Sequence, residues 1–307
     1  IFVIFLAVSG GMFSVAYTDF ISSILIVGGL MLALPFLLPS VDGFSGLAAA
    51  LPETHKTWSG GLTTMQLIGF FLPTLMLILG DQNMYNRFSS AKDEATAKKS
   101  TIGFFIGYII ILFTAIVMAT SAVILYPNIK PDTAILHTAA HGLPTSLGAI
   151  ILAAAIALII TTANSFLLSA AGNVVYDLYA KYKKDLSEEK HLSFSRWAVV
   201  GIGVLAYILG SFFPSVLEVQ MYSYTMYGAA ITPIVLATFF WKRANTPGAI
   251  SSIITGGLAT IFWEMVLGKP LGWNSILFSL PLSILVLVIV SLATGKRSPT
   301  IKIDSSV

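Results

Sequence analysis

The sequence predicts an all-α integral membrane protein, and three observations carry that prediction. Of its 307 residues, 56% are hydrophobic and only 10% charged, against roughly 25% charged in a soluble domain. The stretches 1–18, 20–41, 57–80, 100–129, 142–176, 197–217, 219–241, 244–263 and 270–295 contain no Asp, Glu, Lys, Arg or His. All but the first reach the roughly 20 residues with which a helix crosses about 30 Å of hydrocarbon. These runs are continuous, whereas a membrane barrel would show alternating segments of about ten residues. About nine transmembrane helices are therefore expected, in contact with the lipid bilayer. The absence of cysteine excludes a disulfide framework, a thiolate nucleophile and a thiolate metal site.

The elements follow in order. The chain opens at Ile1 inside an apolar run, with no basic region and no cleavage signature. The first stretch reads as a helix whose beginning, with several preceding helices of the same protein, is missing from this sequence. Gly10-Gly11 is expected to turn the chain, and 20–41 to cross back. The connections 40–61 and 127–146 carry Pro, Gly and short helical patterns. Pro73 is expected to interrupt the third stretch beside Thr74, and Gly228 with Pro233 the seventh; broken helices at mid-membrane expose backbone groups to a passing solute. The segment 181–190 is the only strongly charged one and reads as a solvated linker.

Charge sets the orientation. All but three of the 17 cationic residues fall after the third, fifth, seventh and ninth stretches; the exceptions, Lys56, Lys130 and Lys269, lie in the intervening loops. Cytoplasmic loops concentrate Lys and Arg, so the basic connections and the C-terminus are placed inside the cell and 42–56 outside. The net charge of +3 is thereby topological, which excludes a nucleic-acid role.

Polar groups inside hydrocarbon are costly and mark candidate sites. The densest set is Thr161, Thr162, Asn164, Ser165 and Ser169, which at 100° per residue fall within an arc of about 160°. Neutral hydroxyl and amide oxygens suit a hard cation; equally, such residues bond their own helix or pack against a neighbour. Asp19 fits either a helix-start carboxylate or the negative charge beside a cation path. Glu218 and Glu264 read as interface anchors, and Asp81-Gln82 with Arg87 as helix-end hydrogen-bonding groups. Enzyme signatures are poor. Gly43-Phe44-Ser45-Gly46 fits a short serine-protease pattern, but no histidine lies in any apolar stretch. His137 and His141 lack the Glu of a zincin helix and read as solvated loop residues.

Several segments together resemble the sodium:solute symporter family. They are Gly10-Gly11-Met12-Phe13-Ser14-Val15-Ala16-Tyr17-Thr18-Asp19; Asp81-Gln82 with Arg87 and Ala91-Lys92; Thr161-Thr162-Ala163-Asn164-Ser165; Asp177-Leu178-Tyr179; and Trp241-Lys242-Arg243 with Pro247-Gly248-Ala249. The resemblance implies a LeuT-type inverted-repeat helical bundle, partial here, in one transporter domain. Residues 1–39 would end the first repeat, 57–241 form the second, and 244–295 add two C-terminal helices. It implies a plasma-membrane symporter, not an enzyme, that imports a small polar solute with a sodium ion by alternating access. Thr161, Thr162 and the carbonyl of Leu158 match the principal sodium (Na+) site, and Asp19, Asn164 and Ser165 a second one. Asn164 replaces a hydroxyl residue there. Thr74, Leu77 and Met221 fall on substrate positions; Leu77 and Met221 replace groups that hexose carriers use, which lowers a sugar substrate. Rival readings are a proton-coupled transporter of the same fold, a membrane solute sensor, which the short tail after Gly295 disfavours, and an intramembrane protease acting through Ser45.

Overall fold

The computed structural model describes residues 2–179 and 188–295. Among these every regular element is helical. The elements are α1 (Phe2–Leu37), α2 (Gly43–Ala50), α3 (Glu53–Lys56), α4 (Thr64–Gly80), α5 (Gln82–Ser89), α6 (Glu94–Leu125), α7 (Ala134–His141) and α8 (Thr145–Gly172). A π-helical stretch, Asn173–Tyr179, prolongs α8. Then come α9 (Glu188–Gly210), α10 (Val216–Ala230), α11 (Thr232–Phe240), α12 (Thr246–Ile261), extended by the π-helical Phe262–Val266, and α13 (Ile276–Thr294). Eight helical segments among the described residues are long and apolar enough to span a bilayer. The protein is a multi-pass membrane protein.

Three expectations are corrected. No turn forms at Gly10-Gly11: α1 runs unbroken for 36 residues, about 54 Å at 1.5 Å per residue. The first two apolar stretches are thus one helix, and Asp19, which divides them in sequence, sits within it. Helical hydrogen bonding satisfies every backbone group where water cannot, and Gly is tolerated in such helices. Pro73 does not interrupt α4, which continues past it to Gly80. The break comes instead at Asp81, whose extended backbone (φ −67°, ψ 110°) separates α4 from α5. The expected break near Gly228 and Pro233 is found, at Ile231 between α10 and α11.

The chain forms two compact units. One comprises residues 1–56 and 85–214. Its core joins Ile26, Leu30, Ala33 and Leu37 of α1 to Met118 of α6, Ala139 of α7 and Leu147, Ile151 and Ala154 of α8. Along α8 these side chains and Leu167 repeat every three to four residues, a single buried stripe. A second cluster sets Leu167 and Ala171 against Val199 of α9.

The other unit comprises 57–84 and 215–307. Ala229 of α10 meets Ile276 and Leu280 of α13, with Leu72 and Met76 of α4 packed beside them. Here small and hydroxyl residues let helices approach closely. Ser252 and Ser283 bond each other across α12 and α13 (2.8 Å), and Asn245 donates to the Ser291 carbonyl (3.1 Å) and to Thr294 (2.8 Å). A Cβ on Gly248 would meet Ser291 Oγ, and one on Gly256 would meet the backbone of Ala229 and Ala230.

Candidate functional site

In the first unit, α8 brings Thr161, Asn164 and Ser165 onto one face, because positions i, i+3 and i+4 of a helix are neighbours. Thr161 and Asn164 are buried, at 7% and 5% exposure. Two hydroxyl protons are bound within the helix: Thr161 donates to the Leu158 carbonyl (3.1 Å) and Ser165 to that of Thr161 (3.0 Å). The packing reading of these residues is to that extent correct, but the hydroxyl oxygens keep free lone pairs. Thr162 is exposed, one residue around the helix. Leu158 is exposed as well, and its carbonyl oxygen lies beside Thr161 Oγ1.

Asp19 of α1 comes to the same place. Arg87 of α5 donates to Asp19 Oδ2 (2.6 Å) and to Ser165 Oγ (3.3 Å) through a single guanidinium nitrogen. The acid and the polar face of α8 are therefore joined by one cation. Two acceptor atoms in this cluster, Asp19 Oδ1 and Asn164 Oδ1, are buried with no hydrogen-bond donor. An unpaired buried acceptor is unfavourable by about 1–3 kcal/mol, so both call for a cation or a proton. The oxygen-only donor set suits a hard alkali ion. Sequence reasoning gave Arg87 a helix-end role and missed that it pairs with Asp19; a lone acid and an arginine, both near the predicted cytoplasmic side, were the available signal.

The second unit holds the other candidates. The α4–α5 break is built from turn chemistry: Asp81 Oδ1 accepts from the Asn83 backbone N–H (2.9 Å), starting α5 as a cap would. Tyr227 of α10 spans the break, its hydroxyl donating to the Gly80 carbonyl (2.9 Å) and accepting from Gln82 N–H (3.4 Å). Thr232 donates to the Met76 carbonyl (2.7 Å). Thr74 turns its hydroxyl to the Phe70 carbonyl (3.3 Å), and Leu77 is half-buried one turn further on. Met221 of α10 lines a cavity of about 270 Å³ with Gln66, Phe70, Glu218, Trp273 and Asn274, whereas Thr74 and Leu77 are not on its wall.

Other sequence readings are revised. Glu264 is not a solvated anchor: its side chain is 7% exposed and paired with Lys269 (3.1 Å), and it accepts from Ser275 Oγ (2.6 Å). His137 and His141 lie on α7 rather than in a loop, with His137 against Tyr126 and His141 at ring separations of 4.6 and 4.4 Å. Ser45 donates to the Asp42 carbonyl in α2. No three of His, Asp or Glu gather into a metal cluster among the described residues.

Residues 1–256 match the profile of the sodium:solute symporter family. The chain belongs to that family. It is similar to the sodium/proline symporter of Haemophilus influenzae, 24% identical over 94% of this chain and 61% of that protein. It is 28% identical to sodium/proline symporter 2 of Staphylococcus saprophyticus, over 91% of this chain and 56% of that one. The osmoregulated proline transporter OpuE of Bacillus subtilis is 31% identical over 48% of this chain. A solved structure titled as the substrate-bound outward-open state of a Na+-coupled sialic acid symporter aligns at TM-score 0.72 and 21% identity, over 97% of this chain and 66% of its own. That likeness shows the fold, a helical bundle of the LeuT type. The chain spans less than two thirds of the length of these two symporters.

Proposed function

We propose that the protein is a sodium-coupled secondary active symporter that imports a small polar solute by alternating access. The observation that carries this reading is the pair of buried, donor-less oxygens, Asp19 Oδ1 and Asn164 Oδ1, beside Ser165. A sodium ion there would satisfy both, and its entry down a membrane potential yields about 2.3 kcal/mol per charge per 100 mV. The principal sodium site is assigned to Thr161, Thr162 and the Leu158 carbonyl, the second to Asp19, Asn164 and Ser165. The substrate positions are Thr74, Leu77 and Met221. On this reading residues 1–39 close a first repeat, 57–241 form a second and 244–295 are additional, in the cell membrane with the C-terminus in the cytoplasm. The names of the relatives, proline and sialic acid symporters, support a small polar solute.

Replacing sodium by choline during uptake by the full-length protein tests the coupling ion. Uptake is expected to collapse. Thr162→Ala is expected to weaken apparent sodium affinity more than maximal uptake; an unchanged sodium dependence removes Thr162 from the site. A proton-coupled reading is favoured by the same orphan oxygen of Asp19, and uptake that survives choline but follows external pH would select it.

A further inference from the structure

The cavity at Met221 carries charges that no sodium or neutral-solute role uses. Glu218 stands exposed at its edge; its backbone N–H is bound by Ser215 Oγ (3.2 Å), and its carboxylate makes no ion pair. Lys269, on the opposite wall, is held at one point by the buried Glu264 carboxylate (3.1 Å) and remains 46% exposed. An ammonium has three donors, so Glu264 fixes the direction of Lys269 without exhausting it. Phe70, Trp273 and Met221 supply apolar wall between the two charges.

The loop that carries Lys269 is held in a costly conformation. Gly268, Lys269, Leu271 and Gly272 all have positive φ, at 64°, 55°, 63° and 64°. Non-glycine residues rarely adopt that region, and it persists only where surroundings enforce it. They do so here: Glu264 grips Lys269 and Ser275, and Trp263 Nε1–H donates to the Trp273 carbonyl (3.0 Å). A covering loop alone would need no such arrangement. Holding an ammonium over a cavity does.

We propose that this cavity recognises a small zwitterionic solute, with Lys269 receiving its anionic end, Glu218 its cationic end, and Glu264 acting as a positioning residue for Lys269. The proposal rests on the symporter reading above and narrows its substrate class. At about 270 Å³ the space falls below the roughly 300–1,000 Å³ of sites for drug-sized ligands, which suits an amino acid. The excess of carboxylate over ammonium disfavours an anionic solute. By the loop charges the cavity faces outside, where solute is first met.

The test is equilibrium binding to the full-length protein in proteoliposomes at fixed sodium. The probes are L-proline and L-alanine (zwitterions), L-proline methyl ester (cation), N-acetyl-L-proline (anion) and D-glucose (neutral). The wild type is expected to bind a zwitterion best. Glu218→Gln and Lys269→Gln should each weaken that binding at least about tenfold, the scale of one lost charged hydrogen bond. Lys269→Gln should at the same time shift preference toward the ester, and Lys269→Arg should restore the zwitterion. Because Lys269→Gln strands the buried Glu264, the Lys269→Gln/Glu264→Gln protein is measured beside it, and the same loss of zwitterion binding is expected there. Best binding of glucose or the anion, no binding of either zwitterion, or unchanged affinity in Glu218→Gln overturns the proposal. Sodium-dependent uptake of a neutral solute would sink it while leaving the symporter reading intact. Zwitterion binding without sodium-dependent uptake would do the reverse.

Discussion

The ion pair between Asp19 and Arg87 supports a quantitative prediction. Its N–O contact is 2.6 Å, with Asp19 16% and Arg87 55% exposed. Charge centres about 4 Å apart interact by about 4 kcal/mol at an effective dielectric constant of 20. Fully exposed pairs retain only about 0.2–1 kcal/mol. With one partner sheltered and the other half in water, a coupling of about 2 kcal/mol follows. A double-mutant cycle of Arg87→Gln and Asp19→Asn, read by reversible unfolding in mixed micelles titrated with sodium dodecyl sulfate, measures it. The burial difference also fixes an order. Arg87→Gln leaves a sheltered carboxylate unpaired and should cost more than Asp19→Asn, which leaves a guanidinium free to turn toward water. A coupling below about 0.5 kcal/mol, or the opposite order of the single variants, would refute this account of the pair.

Three further outcomes are expected. Tyr227→Phe removes the hydroxyl that serves Gly80 and Gln82 at the α4–α5 break and should destabilise by about 1–3 kcal/mol, with amide exchange at 80–83 accelerating before the rest of α4; uniform exchange would argue against a local role. Gly256→Ala brings a Cβ to 2.8 Å from the Ala229 carbonyl carbon and 3.0 Å from Ala230 Cα. Backbone cannot yield as a side chain would, so the same titration should show a loss of about 1–3 kcal/mol. At the start of α6, the Thr96 hydroxyl and backbone N–H hold the Asp93 carboxyl below its ordinary 3.8. Its contribution is therefore complete above that value and lost as pH falls through the lower folded value; Asp93→Asn should flatten the acid limb of an unfolding curve, and an unaltered limb would remove this carboxyl from it.

The spans were legible because the membrane imposes a length and a composition that any reader of residues can count. The break near Gly228 and Pro233 was legible for a similar local reason. What escaped depended on partners far along the chain. Asp19 looks like the boundary of two helices only while its countercharge is unknown; Arg87, 68 residues away, lets the acid stay within a continuous α1. Pro73 looked like a break because it lacks an N–H, yet α4 carries on. The true break, Gly80-Asp81-Gln82-Asn83, bears ordinary turn residues that the surrounding apolar run obscured. Glu264 seemed to be a surface anchor because nothing in its neighbourhood predicts that the chain returns Lys269 and Ser275 to it. Thr161, Asn164 and Ser165 were found from helical spacing; that Thr162 points elsewhere required the packing of α8.

The contacts between α12 and α13 bear on how the chain is made. These two helices are neighbours in sequence, and they meet through serine hydroxyls, an asparagine and glycines rather than through bulky side chains. Such contacts need no other part of the protein to form. The last two helices therefore suit insertion as a ready-made hairpin, closing on each other as synthesis ends. A bulky substitution at Gly248 or Gly256 should accordingly reveal itself first as protein that is degraded before it reaches the cell surface.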